Sequence, residues 1–416
     1  MSDNSYRRNH YVPQWYQERF LPPNRERKFF YLDLRPDVIL AENGKKYPRK
    51  NIRRLGAASC FYQEDLYTTK FNDWSSTEIE QKFFGNVDFK GLEAVSYLSE
   101  FTYPNWRPSK HLDFLRYLSI QKLRTPKGLR DFQRLINTTD HNTILFRLQQ
   151  LQQLQAMFCA TWSECVWQIG NANSSETKFI ISDHPVTVYN RKCLPGSKEC
   201  NGMLDPDVRM NGTHTIFPLS HEKILILTNL SWARNPSANP LKLRPNPSLF
   251  RESVIDVRTI QVDRDLDEQE VREMNFIIKK GASRFIAAAE KEWLYPEKYL
   301  KQTGWFMLGQ GDLLMPDPRS MVFGGNVFIG YKGGQSQAFD EYGRKPGQIG
   351  YSHERHQQDE EMEKFLINQA QFARKHGPKR RGRSYQFDRL DSEEDSFEMH
   401  KAFLDQIKGN VDRKRK

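Results

Sequence analysis

The sequence predicts an α+β protein, with a small antiparallel sheet packed with a helical bundle and a largely irregular, basic C-terminal extension. Strand-like segments open the chain, three segments with helical apolar spacing follow, and more strands and a further helix come before residue 299. Strands and helices in separate runs are typical of α+β rather than alternating βαβ units. We therefore predict a globular domain over residues 1–299 and a Gly-rich, charged extension over 300–416.

The first predicted elements form a hairpin. Aromatic and β-branched residues dominate 28–34, and Val38-Ile39-Leu40 precedes the turn-forming pair Asn43-Gly44. Such a pattern indicates a short antiparallel hairpin.

Three helices are predicted next. The first is capped by Ser75 or Ser76, and its apolar residues continue to Leu98, although Gly85 can interrupt it. The second runs from about Ser109 to Arg124, where Pro126 ends or kinks it. The third spans about 144–166, with leucines at helical spacing and glutamines facing outward.

Beyond the third helix, residues 178–181, 215–218 and 223–228 are predicted strands, and a helix is predicted near 265–292. The extension holds eight glycines between residues 324 and 350, so flexible chain is predicted from about Gly333, broken by helices near 360–376 and 396–407.

Charge favours a polyanionic partner. Lys and Arg number 63 against 52 Asp and Glu, for a net charge of +11 and a pI near 9.2. This excess favours nucleic acid over an acidic membrane surface, and the alternative is that it only maintains solubility. The basic clusters 375–383 and 413–416 can neutralise phosphates, or serve solubility in the same way.

Composition also excludes several classes of protein. Five cysteines without a CxxC pair fit neither a disulfide framework nor a four-thiolate zinc site, so reduced thiols are expected. The chain opens without a leader-like segment, and its apolar runs fall far short of the roughly 20 residues of a spanning helix. We therefore expect a cytoplasmic protein without membrane contact. There is no HExxH, GxxxxGK[ST] or GxGxxG motif, which argues against zinc peptidases, motor NTPases and Rossmann oxidoreductases.

Three short polar segments carry the candidate chemistry. They are His10-Tyr11-Val12-Pro13-Gln14, Leu123-Arg124-Thr125-Pro126 and Ser182-Asp183-His184-Pro185. Together with Asp65-Leu66-Tyr67, the Glu-bearing helix of Glu78 and Glu80, and Phe217-Pro218-Leu219-Ser220, they resemble the signature of the mainly bacterial domain of unknown function 4238 family. The segments follow the family's order over roughly residues 7–290. The resemblance implies membership of that family and no particular activity.

Each segment has a functional and a structural interpretation. His10, Asp183 and His184 are candidate acid–base residues, and Asp183 is also a candidate metal ligand at the end of a buried strand. Alternatively, the first segment packs on the core, and Asp183 caps its own turn.

Arg124 lies one helical turn after Gln121, and its guanidinium can bind a phosphate or carboxylate, with Gln14 and Gln121 as further polar contacts. The alternative is that Arg124 caps its helix or pairs with a structural carboxylate such as Glu78. Glu78 and Glu80 lie on different helix faces, so only one of them can join Asp183 at a metal.

Two functions follow from these residues. The first is a metal-assisted phosphodiesterase or nuclease, in which Asp183 and Glu78 hold magnesium or manganese, His10 acts as acid and base, and Arg124 neutralises phosphate. The second is a non-catalytic protein that binds nucleic acid or protein through its basic tail.

Overall fold

The structure is a computed structural model that describes residues 8–23, 26–40, 46–64, 66, 86–136, 144–244, 255, 257–321, 327–340, 344–348, 351, 355–378, 381–385 and 393–414. The strands and helices of the described chain are, in order, β1 (Arg8–His10), α1 (Gln14–Glu18), β2 (Phe29–Asp33), β3 (Val38–Leu40), β4 (Lys46–Pro48), β5 (Ile52–Leu55), β6 (Tyr62–Glu64), α2 (Asn86–Ser99), α3 (Pro108–Leu123), α4 (Pro126–Ile136), α5 (Ile144–Ser163), β7 (Val166–Asn171), β8 (Ile181–Ser182), β9 (Thr187–Asn190), β10 (Thr213–Pro218), β11 (Lys223–Thr228), α6 (Leu230–Arg234), β12 (Ile260–Asp265), α7 (Glu268–Gly281), β13 (Phe285–Ala288), β14 (Val327–Gly330), β15 (Ser336–Phe339), α8 (Arg355–His376), β16 (Arg383–Ser384) and α9 (Glu393–Lys414).

Two sheets form the centre of the fold. The larger has six strands in the order β16-β12-β7-β11-β10-β9, and its pairs are antiparallel except for the parallel pair β12–β7. The smaller is antiparallel, in the order β5-β2-β13-β8. The α+β class is confirmed, and the sheet is larger and more mixed than the sequence predicts.

Aromatic side chains join the helices to the larger sheet. Phe114 of α3 lies 5.9 Å, between ring centroids, from both Trp167 of β7 and Phe217 of β10. At the end of α5, the indole nitrogen of Trp162 donates to Thr215 Oγ1 at 2.9 Å. These buried contacts place α3 and α5 against the sheet.

Several predicted elements are confirmed closely. Helix α3 ends at Leu123, and Pro126 begins α4, where its missing N–H and fixed φ suit the first turn. Strand β11 has the predicted bounds, and β3 pairs with β4 around the predicted turn, which itself lies outside the described residues.

Two strands take the place of predicted helix ends. β7 begins at Val166, within three residues of the end of α5, and β13 begins four residues after Gly281 ends α7. A capping box of Asp267 and Glu270 starts α7, as the acidic residues there indicate. The strands form because their apolar side chains pair with distant strands, which local spacing does not reveal.

The extension is more regular than predicted. Helices α8 and α9 appear close to the two predicted positions, and β14 and β15 form an antiparallel hairpin. In α8, Phe365 is buried with Val166 and Leu230, and the Gln369 amide donates to Pro318 O at 2.8 Å. β16 then joins the six-stranded sheet beside β12. Helix α8 and strand β16 therefore belong to the packed fold.

Within the described residues, no helix combines the length and apolar character needed to cross a bilayer.

Candidate functional site

Asp183 lies in the turn after β8, and its carboxylate is fully engaged with backbone. Oδ1 accepts the N–H of Ser283 at 2.7 Å, and Oδ2 accepts those of Arg284 at 2.6 Å and Phe285 at 3.0 Å. Burial raises the pKa of Asp183, and the three N–H donors oppose that rise. The carboxylate therefore fastens the start of β13 to the end of β8.

His184, the next residue, forms a different contact with each ring nitrogen. Nε2 lies 3.0 Å from Asp205 Oδ2, and Nδ1 lies 2.7 Å from Thr125 Oγ1. Burial lowers the pKa of His184 to about 4, although Asp205 opposes the shift. The neutral ring then donates from Nε2 to Asp205 and accepts the Thr125 hydroxyl at Nδ1.

Two lysines complete a buried charge cluster of Lys122, Thr125, Lys127, His184 and Asp205. Lys122 Nζ lies 2.8 Å from Asp205 Oδ2, and Lys127 Nζ contacts Oδ1 as well as Gly281 O at 2.9 Å. Burial alone would raise the pKa of Asp205, but the two ammonium groups and His184 hold it well below its ordinary value.

The cluster contains the groups of an acid–base site. An imidazole, a hydroxyl, a carboxylate and two ammonium groups can move a proton and neutralise an anion. All five side chains are buried, and His184 is only 1% exposed. In this conformation the cluster joins α3 and α4 to the turn after β8 and to the segment around Asp205.

Arg124 is buried against a carboxylate. Its Nη1 donates to both oxygens of Asp88, at 2.8 and 2.9 Å, and its Nε donates to Gln121 Oε1 at 2.8 Å. The Gln121 amide donates in turn to Tyr11 O at 2.9 Å. Gln121 and Arg124 thus share a helix face as predicted, and they connect α3 to the N-terminal segment.

His10 lies at the outer side of that segment. Its Nε2 is 3.3 Å from Ala58 O and 3.5 Å from the Gln14 amide nitrogen, while Tyr11 and Val12 are buried. Pro13 precedes the first turn of α1, so the segment is a short strand followed by a helix start that packs on the core.

The three polar segments are therefore joined in pairs. The first is linked to the second through Gln121, which bonds to both Tyr11 and Arg124, and the second meets the third through Thr125 and His184. The predicted metal site cannot be followed in the same way, because Glu78 and Glu80 lie outside the described residues. In the described part of the chain, no group of three or more His, Cys, Asp or Glu side chains is arranged to hold a metal ion. The metal role of Asp183 and the catalytic and binding roles of the other residues stay predictions.

A second candidate site is an exposed basic ribbon, defined as residues 34–55, of which 41–45 lie outside the described residues. It begins directly after β2 and ends with β5, which pairs with β2, and its outer part is the pairing of β3 with β4. Ile39 faces Tyr47 across the outer part, and both are about half exposed, as are the neighbouring apolar side chains. The ribbon holds seven basic residues and two acidic ones, a net charge of +5.

Most described cations of the ribbon face solvent without an acidic partner. Arg54 pairs with Glu26 at 2.8 Å, and Asp37 is occupied by Arg284 at 2.9 Å from outside the ribbon. Among the residues that the structure describes, no carboxylate lies within 4 Å of the charged side-chain nitrogens of the others, which are Arg35, Lys46, Arg49, Lys50 and Arg53.

The basic cluster 375–383 of the extension differs in this respect. Lys375 pairs with Asp312 at 2.7 Å, Arg381 pairs with Glu270 at 2.5 Å, and Arg383 Nε donates to Asp263 at 2.8 Å. These described cations neutralise acidic residues of the domain on which they pack.

Comparison with known proteins identifies the family. The model of a family described as Protein of unknown function (DUF4238) matches residues 8–292, more than half of the chain. The chain belongs to this family. No curated protein and no solved structure matches the chain.

The residues that sequence reasoning missed in this DUF4238 chain are Lys122, Lys127 and Asp205. Each lies in a stretch where a charged residue is ordinary, and Asp205 is 78 residues from Lys127. The one local signal that pointed to this cluster is the position of Lys122 and Lys127 on either side of the Arg-Thr-Pro segment.

Further from these segments, the DUF4238 chain has a cavity of about 170 Å³ beside the first turns of α7. None of the predicted site residues lines it. Its walls are Glu176, Thr177, Glu268, Arg272, Glu292, Trp293, Pro296 and Tyr299.

The capping role of Asp183 predicts a loss of stability in Asp183→Asn. An amide has one acceptor oxygen, so buried N–H groups of residues 283–285 lose their partner, at about 1–3 kcal/mol each. We expect the free energy of unfolding of this DUF4238 protein to fall by about 2–4 kcal/mol in chemical denaturation. Asp37→Asn, at an exposed carboxylate near the same loop, is the matched control and should change it by less than about 1 kcal/mol. Equal stability of the two variants would contradict the capping role.

The lowered pKa of His184 predicts a pH-dependent stability. Below about pH 6.5 the unfolded imidazole takes up a proton, whereas the folded one stays neutral until about pH 4. The free energy of unfolding should therefore fall as the pH drops through this window, with about 1.4 kcal/mol per pH unit from this group. In His184→Gln the slope between pH 5 and 6 should decrease by about that amount. The free energies come from urea titrations at each pH. If their dependence on pH were the same in His184→Gln as in the unaltered protein, His184 would have the same pKa in the folded and unfolded states.

Proposed function

We propose that this protein binds double-stranded DNA through the basic ribbon, residues 34–55. The observation that carries the proposal is an exposed two-stranded ribbon whose described cations are mostly without acidic partners. This develops the binding hypothesis from the sequence and moves the contact from the C-terminal extension to the N-terminal half.

The charge of the ribbon supports a phosphate-rich partner. Its net +5 is nearly half of the +11 of the whole chain, although it contains only 22 of the 416 residues. Each ammonium or guanidinium that meets a phosphate releases condensed counterions, which drives binding. The cations 375, 381 and 383 of the extension support this role less, because they form ion pairs within the fold.

The shape of the ribbon supports duplex DNA in particular. The major groove of B-form DNA is wide enough for a two-stranded antiparallel ribbon, whereas that of A-form RNA is too narrow for side chains to read. Ile39 and Tyr47 lie on one face, so an aromatic ring and an aliphatic side chain point toward the same surface. Such groups suit contact with thymine methyls and base edges.

A hydrolytic activity on the bound nucleic acid is the second candidate. It is favoured by His184, which contacts Asp205 and Thr125 beside two lysines, a set that can transfer a proton and neutralise phosphate. His10, Asp183, Arg124 and the glutamines 14 and 121 keep their proposed roles in this candidate, with magnesium or manganese at Asp183 and Glu78. Against the metal stands the engagement of Asp183 with three N–H donors.

DNA binding is tested by removing three cations of the ribbon together, in Lys46→Ala/Arg49→Ala/Lys50→Ala. All three side chains are exposed, so the fold should keep its stability. The affinity for labelled duplex DNA should fall, and the slope of log K against log salt concentration should decrease by about 2.7, since each lost phosphate contact removes about 0.9. Fluorescence anisotropy over a salt series measures both quantities.

The matched control removes three exposed lysines elsewhere, in Lys291→Ala/Lys301→Ala/Lys332→Ala. It changes the net charge by the same amount and should leave most of the affinity intact. If both triple variants lost the same amount of affinity for duplex DNA, binding would depend on the overall charge alone and not on the ribbon. Absence of binding by the unaltered protein at low salt would overturn the proposal.

Hydrolysis is tested by incubating the same proteins with labelled DNA and RNA in magnesium or manganese. If the second candidate is right, cleavage disappears in His184→Gln and decreases in the ribbon variant through weaker binding. In that case a small phosphodiester, too short to reach the ribbon, should be cleaved equally by the ribbon variant and the unaltered protein. Binding without cleavage under every metal condition would leave the protein as a DNA-binding protein alone.

A further inference from the structure

Two of the five cysteines face each other in the segment that follows β9. The Sγ atoms of Cys193 and Cys200 are 3.3 Å apart, and the two residues are 0% and 3% exposed. Met210 packs beside them and completes a small sulfur-rich cluster, separate from the main core. The distance is that of a contact between two thiols and not of a bond.

The backbone between them holds the two thiols together. The Cys193 N–H donates to Asn190 O at 3.0 Å, and the Cys200 N–H donates to Ser197 O at 3.1 Å in a short 3-10 turn. Gly196 has φ of 77°, which a residue with a side chain rarely adopts, and allows the chain to reverse between the cysteines. The pairing is therefore built into the turn.

We propose that Cys193 and Cys200 are a modification site, a dithiol that closes reversibly into a disulfide. In the forward step glutathione disulfide accepts two electrons and two protons and leaves as two molecules of glutathione, while a bond forms between the two sulfurs. The Sγ atoms need to approach by only about 1.3 Å, because a disulfide bond is about 2.0 Å long. This site is independent of DNA binding.

The surroundings predict slow formation of this bond. Burial raises the pKa of Cys193 to about 12, and the neighbouring Cys200 thiol adds to the rise, so the reactive thiolate is rare in the closed turn. Leu194, between the two cysteines, is 43% exposed, so the turn lies at the surface and its opening gives the oxidant access. Exchange should therefore become faster as the pH rises.

The disulfide would stiffen the segment that leads to the buried charge cluster. Met203 N donates to Cys200 O at 3.0 Å, and Asp205, two residues further, contacts His184 and both lysines. Closing an eight-residue loop restricts the unfolded chain. The oxidised protein should accordingly unfold at a higher temperature than the reduced one.

The test is equilibration of the full chain in glutathione buffers that range from fully reduced to fully oxidised. The protein is then unfolded so that its buried free thiols can be blocked by alkylation, and it is mapped by proteolysis and mass spectrometry. In oxidising buffer we expect the sequences that carry Cys193 and Cys200 to be joined, at the mass of the two thiol forms less two hydrogen atoms. In reducing buffer both thiols should instead carry the alkyl group. Cys60, Cys159 and Cys165 should be alkylated throughout.

Cys193→Ser supplies the matched control. Its remaining Cys200 thiol cannot form the internal bond, so it should instead add one glutathione under oxidising conditions or stay reduced. Alkylation of both Cys193 and Cys200 in the unaltered protein at every buffer ratio would overturn the proposal, as would a disulfide that joins either of them to a different cysteine.

Discussion

The need to satisfy buried charge at the turn after β8 determines how this fold is assembled. Asp183 enters the interior, where an unpaired carboxylate would cost several kcal/mol, and three N–H groups of residues 283–285 supply its partners. These bonds place β13 beside β8, and β13 in turn pairs with β2. Since β2 leads into the basic ribbon, the buried carboxylate supports the sheet to which the ribbon is attached.

The same requirement accounts for the neighbouring polar segments. Arg124 is buried only because Asp88 and Gln121 accept its N–H groups, and Gln121 then holds the N-terminal segment at Tyr11. In the buried charge cluster, Asp205 stays ionised because two ammonium groups surround it. Removing one partner from such a buried set destabilises the fold by more than the whole set stabilises it, because a charge is left unpaired. The three segments therefore have a structural role whether or not they also take part in catalysis.

The sequence predicts those parts of the fold whose cause is local. The apolar residues of α3 and β11 recur at the spacing that a buried helix face and a buried strand need, so both elements could be predicted. The pair Asn43-Gly44 indicates the turn between β3 and β4 in the same way. Strands β7 and β13 were missed because each follows a helix closely and forms only by pairing with distant chain. The contacts of Asp183 could not be predicted from the sequence either, because the N–H groups that bond to it lie about 100 residues away.

The candidate site shows the same limit. Three polar segments could be singled out from their residue types, and the structure joins them in pairs. Their partners Asp88, Asp205 and Lys127 could not be predicted, because an acidic or basic residue in a helix or loop is usually solvated. Whether a charge is available to a ligand is decided by what packs against it, and that depends on the tertiary fold.

This distinction separates the two basic regions of the chain. Composition alone assigns the phosphate contacts to the C-terminal extension, but the described cations Lys375, Arg381 and Arg383 lie next to Asp312, Glu270 and Asp263. The ribbon has no comparable acidic neighbours among its described contacts, apart from Glu26 at Arg54. An exposed ribbon with apolar side chains on both faces is also a template for aggregation, which its repelling cations oppose. A polyanion that pairs with those cations would cover the apolar side chains as well, so charge and shape favour the same partner.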